Sequence, residues 1–213
     1  MKKVVKFGGS SLASAEQFKK VGNIVKSDPD RKYVIPSAPG KRFAKDIKVT
    51  DMLYRCYETA VAGEAFEELL GQIKARYDEI IHGLALNLSL EDEFKTIETA
   101  FKNKEGIDYA ASRGEYLNGL IMAKYLEYEF IDPVKYIFFR KGGVLDQEKT
   151  YSCLKKKLGK VERAVIPGFY GCGADGRVQT FSRGGSDVTG SIVAKAVLAD
   201  IYENWTDVSG VLV

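Results

Sequence analysis

Two glycine-containing turns carry the residues of this sequence that are best suited to chemistry. The first follows a short apolar segment and reads Lys6-Phe7-Gly8-Gly9-Ser10-Ser11. Glycines without a Cβ let backbone N–H groups approach an anion closely, and Lys6 supplies a positive charge beside it. Ser14 with Gln17 predicts a helix start just beyond, and the N-terminus of a helix also favours anions. The pattern predicts a phosphate-binding turn between a strand and a helix. A turn that uses its glycines only for packing is the alternative.

The second turn lies near the other end of the sequence and reads Ser182-Arg183-Gly184-Gly185-Ser186-Asp187. The planar guanidinium of Arg183 can hold a carboxylate through two parallel hydrogen bonds. Asp187 is a candidate for orienting Lys6 or a metal ion. In an open α/β sheet the carboxyl ends of parallel strands meet at one edge, so we expect both turns to face one cleft. A packing turn with Asp187 as helix cap is the alternative.

Other glycine patterns exclude two common nucleotide sites. The G-x-x-x-x-G-K-[ST] loop does not occur in the sequence. Residues 171–176 match the letters G-x-G-x-x-G, but residues 177–181 then alternate as a strand does, whereas a dinucleotide-binding loop must open a helix. We therefore expect a hairpin turn there and no dinucleotide site.

Composition narrows the function classes further. The 213 residues are 45% hydrophobic and 29% charged, which suits one globular α/β domain with a core. The net charge is only +3 and no basic stripe is present, so we expect no nucleic-acid partner. His82 is the single histidine and the three cysteines form no C-x-x-C pair, so no metal-ligand cluster is predicted. The sequence shows no apolar run of membrane-spanning length and no secretory leader, so we expect a cytoplasmic location and no membrane partner.

Hydrophobic periodicity predicts an α/β order of elements. A strand through Phe7, a helix and a strand at 33–35 form a β–α–β start, and a polar, basic loop at 37–48 is long enough to move over a ligand. Thr50 is placed to cap the next helix, and a helical block extends to about residue 129. The following strands are predicted at 136–139, 164–166, 178–181 and 201–205, with helices at 147–158 and 187–198.

Two more motifs complete a resemblance to a known family. They are Ser112-Arg113-Gly114-Glu115 and Glu203-Asn204-Trp205-Thr206-Asp207-Val208. Together with the two glycine turns, and in this order along the chain, they resemble the catalytic domain of aspartate kinases in the amino-acid kinase superfamily. The sequence departs from the family pattern at Ser182, where glycine is usual, and at Leu212, where an aromatic residue is common.

The resemblance implies the fold, the reaction and the assembly. The fold is a three-layer α/β sandwich with a mainly parallel central sheet, the carbamate kinase-like arrangement, and residues 1–213 form one catalytic domain that is incomplete at its carboxyl end and lacks regulatory domains. The implied reaction transfers the γ-phosphoryl group of ATP to the side chain of L-aspartate with Mg²⁺, in a protein that is a homo-oligomer when intact. Because a second lysine is expected beyond this chain, we expect little activity from the chain alone.

The resemblance also assigns roles to individual residues. Lys6 and Asp187 are the catalytic pair. The nucleotide contacts are Lys6, Gly8, Gly9, Ser10, Thr206 and Asp207. The aspartate contacts are Ser37, Thr50, Glu115, Phe169, Arg183 and Gly184. Taken alone, Thr50 can be only a helix cap, Glu115 only a surface carboxylate and Thr206-Asp207 only a turn.

Two other functions stay open on the sequence. One is an inactive ligand-binding module, since the chain stops just past Thr206-Asp207. The other is a related kinase that forms an acyl phosphate on glutamate or another small acid.

Overall fold

A parallel β-sheet organises the chain. The computed structural model describes residues 1–182 and 184–206. The strands are β1 (Lys3–Phe7), β2 (Arg31–Pro36), β3 (Glu129–Phe130), β4 (Ala164–Val165), β5 (Tyr170–Cys172), β6 (Val178–Thr180) and β7 (Ile201–Trp205). Five of them form one sheet in the order β3-β4-β2-β1-β7, in which every pairing is parallel. β5 and β6 form a separate antiparallel hairpin.

Helices cover both faces of this sheet. They are α1 (Ala15–Lys26), α2 (Val49–Ala62), α3 (Glu67–Gly83), α4 (Glu91–Lys102), α5 (Ile107–Leu126), α6 (Gln147–Leu158) and α7 (Gly185–Val197). Side chains alternate across a strand, so consecutive residues of β1 serve different layers. Val5 and Phe7 pack in the cluster formed with α1 to α5, whereas Val4 packs in the cluster formed with α6 and α7. The predicted three-layer α/β architecture is confirmed.

Several predicted elements are confirmed at the residue level. β1, α1 and β2 form the expected β–α–β start, and Ser14 accepts a hydrogen bond from the backbone N–H of Gln17 at 3.4 Å. α6 and β7 begin and end at the predicted residues. The segment after residue 171 is the expected hairpin, with Tyr170 opposite Thr180 and Gly176 at φ +83° in its turn.

Three local predictions are wrong. Residues 136–139 are not a strand, because Pro133 starts a 3-10 turn there and Phe138 and Phe139 make only isolated bridges. α5 ends at Leu126, where Glu127 takes a positive φ of 59°, so the chain turns early enough to form the unpredicted strand β3. Thr50 does not cap α2, since the helix begins at Val49 after Lys48.

The loop after β1 and the loop after β2 touch through their backbones. The Gly40 N–H donates to the Gly9 carbonyl at 2.8 Å, and a Cβ built on Gly9 would lie 2.8 Å from the Ala38 carbonyl oxygen. A Cβ on Gly40 would lie 2.6 Å from the carbonyl carbon of Gly9. The two backbones can come this close only because both residues are glycine. The contact holds the first glycine turn against the loop after β2.

We expect Gly9→Ala to lower the free energy of unfolding by about 1–3 kcal/mol, the usual range for an added core methyl group. Gly9 has φ −62°, so the cost comes from the clash with the Ala38 carbonyl rather than from backbone strain. Gly71→Ala in α3 is the matched control, because a Cβ there meets nothing within 4 Å. Urea unfolding of both variants tests this, and equal stabilities would show that the two loops can separate at no cost.

Candidate active site

The carboxyl ends of β1, β2 and β7 open into one cleft. β1 lies between the other two strands, with Phe7 opposite Pro36 and Trp205 at the last paired positions. The carboxyl ends of the three strands therefore lie at the same edge of the sheet. The cleft has a volume of about 660 Å³ and is lined by Gly8, Gly9, Ser10, Ser37, Ala38, Pro39, Gly40, Lys41, Phe43, Ala44, Lys48, Thr50, Glu115 and Thr206.

Lys6 and Asp187 are in direct contact. Lys6 follows Val4 by two residues, so it lies on the face of the sheet that α7 covers, and Asp187 is in the first turn of α7. The Lys6 ammonium lies 3.0 Å from the Asp187 carboxylate. The Asn204 side-chain amide donates to the same carboxylate at 3.0 Å. Lys6 is almost buried, so these contacts hold its ammonium beside the first glycine turn.

The first glycine turn is more complex than a simple strand-to-helix connection. The Gly8 N–H donates to the Trp205 carbonyl at 3.2 Å, so this amide is already paired. A Cβ on Gly8 would lie 3.8 Å from the Lys6 Nζ, so the glycine keeps the space beside that ammonium open. The 3-10 turn Ser10–Leu12 follows, and α1 begins only after it. The turn thus has Lys6 beside it, and the Gly8 amide is not available to a ligand; binding of a phosphate by this turn stays a prediction.

Glu115 is a buried carboxyl that also lines the cleft. It lies on α5 and is only 6% exposed, and its Oε2 has no hydrogen-bond partner among the described residues. Burial raises the pKa of Glu115 to about 8, although a hydrogen bond from the Ala38 backbone and the nearby Arg113 charge both oppose the shift. A surface role for this carboxylate is excluded. A carboxyl of this kind is suited to receive a cation that enters the cleft.

Sequence reasoning missed Asn118 beside this site. Asn118 lies three residues after Glu115 on α5, is fully buried, and donates to the Ser37 carbonyl at 2.6 Å. Its Oδ1 has no partner among the residues that the structure describes. The spacing of three residues on one helix was the available signal. Ser37 itself lines the cleft, and so does Thr50 from the first turn of α2.

The two glycines of the second turn lie at the start of α7, where Gly185 packs against Phe169. Phe169 takes a positive φ of 82°, and its N–H donates to the Thr189 hydroxyl at 3.1 Å. A Cβ on Gly185 would lie 2.5 Å from the Phe169 ring, and Gly184 takes φ +57° before α7. Phe169 and Gly184 are not among the described residues that line the cleft. Two predicted site residues, Arg183 and Asp207, lie outside the described residues.

The described residues were also compared with the requirements of a metal site and of a membrane-spanning helix. In residues 1–182 and 184–206, no group of three or more His, Cys, Asp or Glu side chains is arranged to hold a metal ion. No helix in the described part of the chain combines the length and apolarity needed to cross a bilayer.

Comparison with known proteins identifies the family of this chain. The model of the amino acid kinase family matches residues 1–213. The chain belongs to the amino acid kinase family. Aspartokinase 3 of Bacillus subtilis is 41% identical over 98% of this chain and 49% of the relative. The chain spans about half the length of the curated relatives it matches.

Solved structures place this amino acid kinase among aspartate kinases in fold. The aspartate kinase of Clostridium acetobutylicum has a TM-score of 0.97 and 53% identity, and covers all of this chain and 49% of its own. Aspartokinase III of Escherichia coli, solved in complex with aspartate and ADP, has a TM-score of 0.81 and 26% identity over 99% of this chain and 50% of its own.

Glu115 makes the stability of this amino acid kinase depend on pH. In the unfolded chain the carboxyl ionises near its ordinary value of 4.5, whereas the folded protein keeps the proton up to about pH 8. The unfolded state therefore binds fewer protons in this window, so the free energy of unfolding falls as pH rises through it. Relative to Glu115→Gln, we expect a loss on the order of 2–4 kcal/mol between pH 5 and pH 8.5. Urea unfolding at both pH values measures this, and identical pH slopes would contradict it.

Proposed function

We propose that this chain catalyses, or forms the catalytic part of an enzyme that catalyses, phosphoryl transfer from ATP to the side-chain carboxylate of L-aspartate. The products are aspartyl phosphate and ADP. The observation that carries the proposal is one cleft lined both by the turn Gly8–Ser10 and by Glu115, a buried carboxyl whose Oε2 has no hydrogen-bond partner among the described residues. The names of the Bacillus and Clostridium relatives and the aspartate and ADP bound to the Escherichia coli enzyme support it.

The proposed chemistry needs charge neutralisation and alignment rather than a base. A free aspartate side chain, with a pKa of about 3.9, is already ionised at neutral pH. One of its oxygens forms the new bond to the γ-phosphorus while the bond to the bridging oxygen breaks, and the electron pair leaves with ADP. Both reactants are anionic. Lys6, held by Asp187 at 3.0 Å, is placed to reduce their repulsion and to stabilise the transferring phosphoryl group.

We assign aspartate recognition to the part of the cleft that contains Glu115. The buried Glu115 carboxyl would take the substrate ammonium, and the hydroxyl groups of Ser37 and Thr50 line the same wall. Arg183 would hold a substrate carboxylate in a bidentate pair, with Gly184 and Phe169 shaping the turn that presents it. The roles of these three residues remain predictions from the family resemblance.

Nucleotide binding is assigned to the loops after β1 and β7. Gly8, Gly9, Ser10 and Thr206 line this part of the cleft, and the role of Asp207 remains a prediction. A divalent cation, which we propose to be Mg²⁺, would neutralise the charge of the bound phosphates. Asp187 fits such an ion because its carboxylate is a hard oxygen ligand beside Lys6 and is still 48% exposed.

The proposed reaction is the first step of aspartate-family amino-acid biosynthesis, which leads to lysine, threonine and methionine. A cytoplasmic location and a homo-oligomeric state belong to the same proposal and rest on the family resemblance. Size-exclusion chromatography with light scattering measures the oligomeric state directly.

A hydroxylamine trap of the acyl phosphate distinguishes the proposed reaction from its rivals. The assay is run with aspartate, glutamate and other small acids, on this chain and on a version extended beyond residue 213 to the length of the Bacillus relative. Hydroxamate from aspartate alone supports the proposal. Hydroxamate from glutamate alone would replace the substrate. Product from neither version, with aspartate still bound, would indicate a ligand-binding module.

We expect Lys6→Met to lower kcat at least about 100-fold, the usual cost of losing one transition-state charge. Aspartate binding should change little, because Lys6 pairs with Asp187 and is not among the residues proposed to hold aspartate. Lys3→Met is the control, since Lys3 belongs to the same strand but pairs with Asp28 and Glu203 instead. The hydroxamate assay is used on whichever version turns over. A near-normal kcat for Lys6→Met would show that Lys6 does not stabilise the transferring phosphoryl group.

We expect aspartate affinity to rise with pH between about 6 and 8.5, because the Glu115 carboxyl must lose its proton before it can pair with an ammonium. Glu115→Gln should weaken aspartate binding about 10-fold or more at pH 8.5 and remove this pH dependence, while ATP binding stays the same. Glu68→Gln, at an exposed position of α3, is the control. Calorimetric titration of both ligands decides the outcome, and a selective loss of ATP binding would contradict the assignment.

A further inference from the structure

One buried arginine outside the cleft makes contact with the loop that forms its wall. Arg76 lies on α3 and is only 5% exposed. Its Nη2 donates to the Gly40 carbonyl at 3.0 Å and its Nη1 to the Ile47 carbonyl at 3.2 Å. The same Nη1 lies 3.1 Å from the Asp46 carboxylate. A single guanidinium thus binds both the beginning and the end of the segment 40–47.

The segment that Arg76 holds is part of the proposed active site. Gly40, Lys41, Phe43, Ala44 and Lys48 all line the cleft. The base of the loop is closed by a hydrogen bond from the Val49 N–H to the Pro39 carbonyl at 3.1 Å. Its first residue, Gly40, also binds the Gly9 carbonyl at 2.8 Å. This contact with Gly9 does not involve Arg76, so it still holds Gly40 and the first glycine turn when the Arg76 contacts are lost, and the residues that become free to move are mainly those after Gly40.

The contact depends on charge and on planar geometry. The Arg42 and Arg76 guanidinium groups hold the pKa of the Asp46 carboxyl well below its usual range. Arg42 also reaches Glu79 on α3 at 2.9 Å, but it lies at the surface, where such a pair contributes little. Arg76 is buried, and its donors point in fixed directions toward two carbonyls and one carboxylate. A lysine has one flexible ammonium and cannot reproduce that arrangement.

We propose that Arg76 is a positioning residue that fixes the 40–48 loop and, through it, the aspartate side of the cleft. This role rests on the function proposed above. Lys48 and Thr50 continue from the held loop into α2, on the same wall as Glu115. Lys6 and Asp187 are held from β1 and α7 instead. Loss of the clamp therefore weakens aspartate binding more than nucleotide binding.

The test combines a structural readout with a binding readout. Arg76→Lys keeps the charge and loses the fork, and Arg55→Lys makes the same change at an exposed position of α2. Brief trypsin digestion of the folded chain, followed by mass spectrometry, measures cleavage after Lys41, Arg42, Lys45 and Lys48. Calorimetry measures the affinity for aspartate and for ADP. The expected result for Arg76→Lys alone is about 10-fold faster loop cleavage and about 10-fold weaker aspartate binding, with ADP binding within about twofold.

Each other outcome has a defined meaning. Unchanged loop cleavage in Arg76→Lys would overturn the clamp, and faster cleavage with normal aspartate affinity would overturn the positioning role. If the unmodified chain binds ADP but no aspartate, the proposed function fails, and the role of Arg76 in substrate binding fails with it. If Arg76→Lys does not fold, Asp46→Asn replaces it, because this change loosens the same contact from the loop side.

Discussion

The parallel pairing of β1 between β2 and β7 is the constraint on which the rest of the site depends. β1 contributes Phe7 and Val5 to one hydrophobic layer and Val4 to the other, so its position is fixed from both faces of the sheet. Because all three strands run in the same direction, their carboxyl ends lie at the same edge of the sheet. Hydrophobic burial along one central strand thus determines where the polar groups collect.

Lys6 and Glu115 differ in how the folded protein stabilises their charge. Lys6 has its counter-ion already in place, in Asp187, so its ammonium is held without a ligand. Glu115 has no such partner in the described part of the chain and holds its proton instead. A buried carboxyl without a counter-ion is costly when ionised, and the ionised form becomes favourable once a cation pairs with it. The Lys6 ammonium is therefore positioned before any ligand binds, whereas the charge of Glu115 depends on what enters the cleft.

Sequence patterns located the main chemical groups but not the contacts that hold them. The first glycine turn, the hairpin at 171–176, α6 and β7 could be predicted because glycine spacing and hydrophobic periodicity are local signals. The turn at Glu127 and the two-residue strand β3 have no such signal, since their conformation comes from tertiary packing. Arg76 was missed for the same reason, whereas Asn118 had its spacing from Glu115 on α5 as its one local signal. A buried polar residue is recognisable only when its partners, far away in the sequence, are known.

Lys6 and Asp187 are separated by most of the chain, and so are β1 and its neighbour β7. During synthesis the first strand emerges long before the strand that completes its pairing. The layer of α1 to α5 can assemble around β1 and β2 while the other edge of β1 remains open. Contacts of such high sequence separation form slowly, and an unpaired strand edge is prone to self-association until they form. β7 and α7, which bring Asn204 and Asp187 together beside Lys6, are therefore also the elements that cover the open edge and one face of β1.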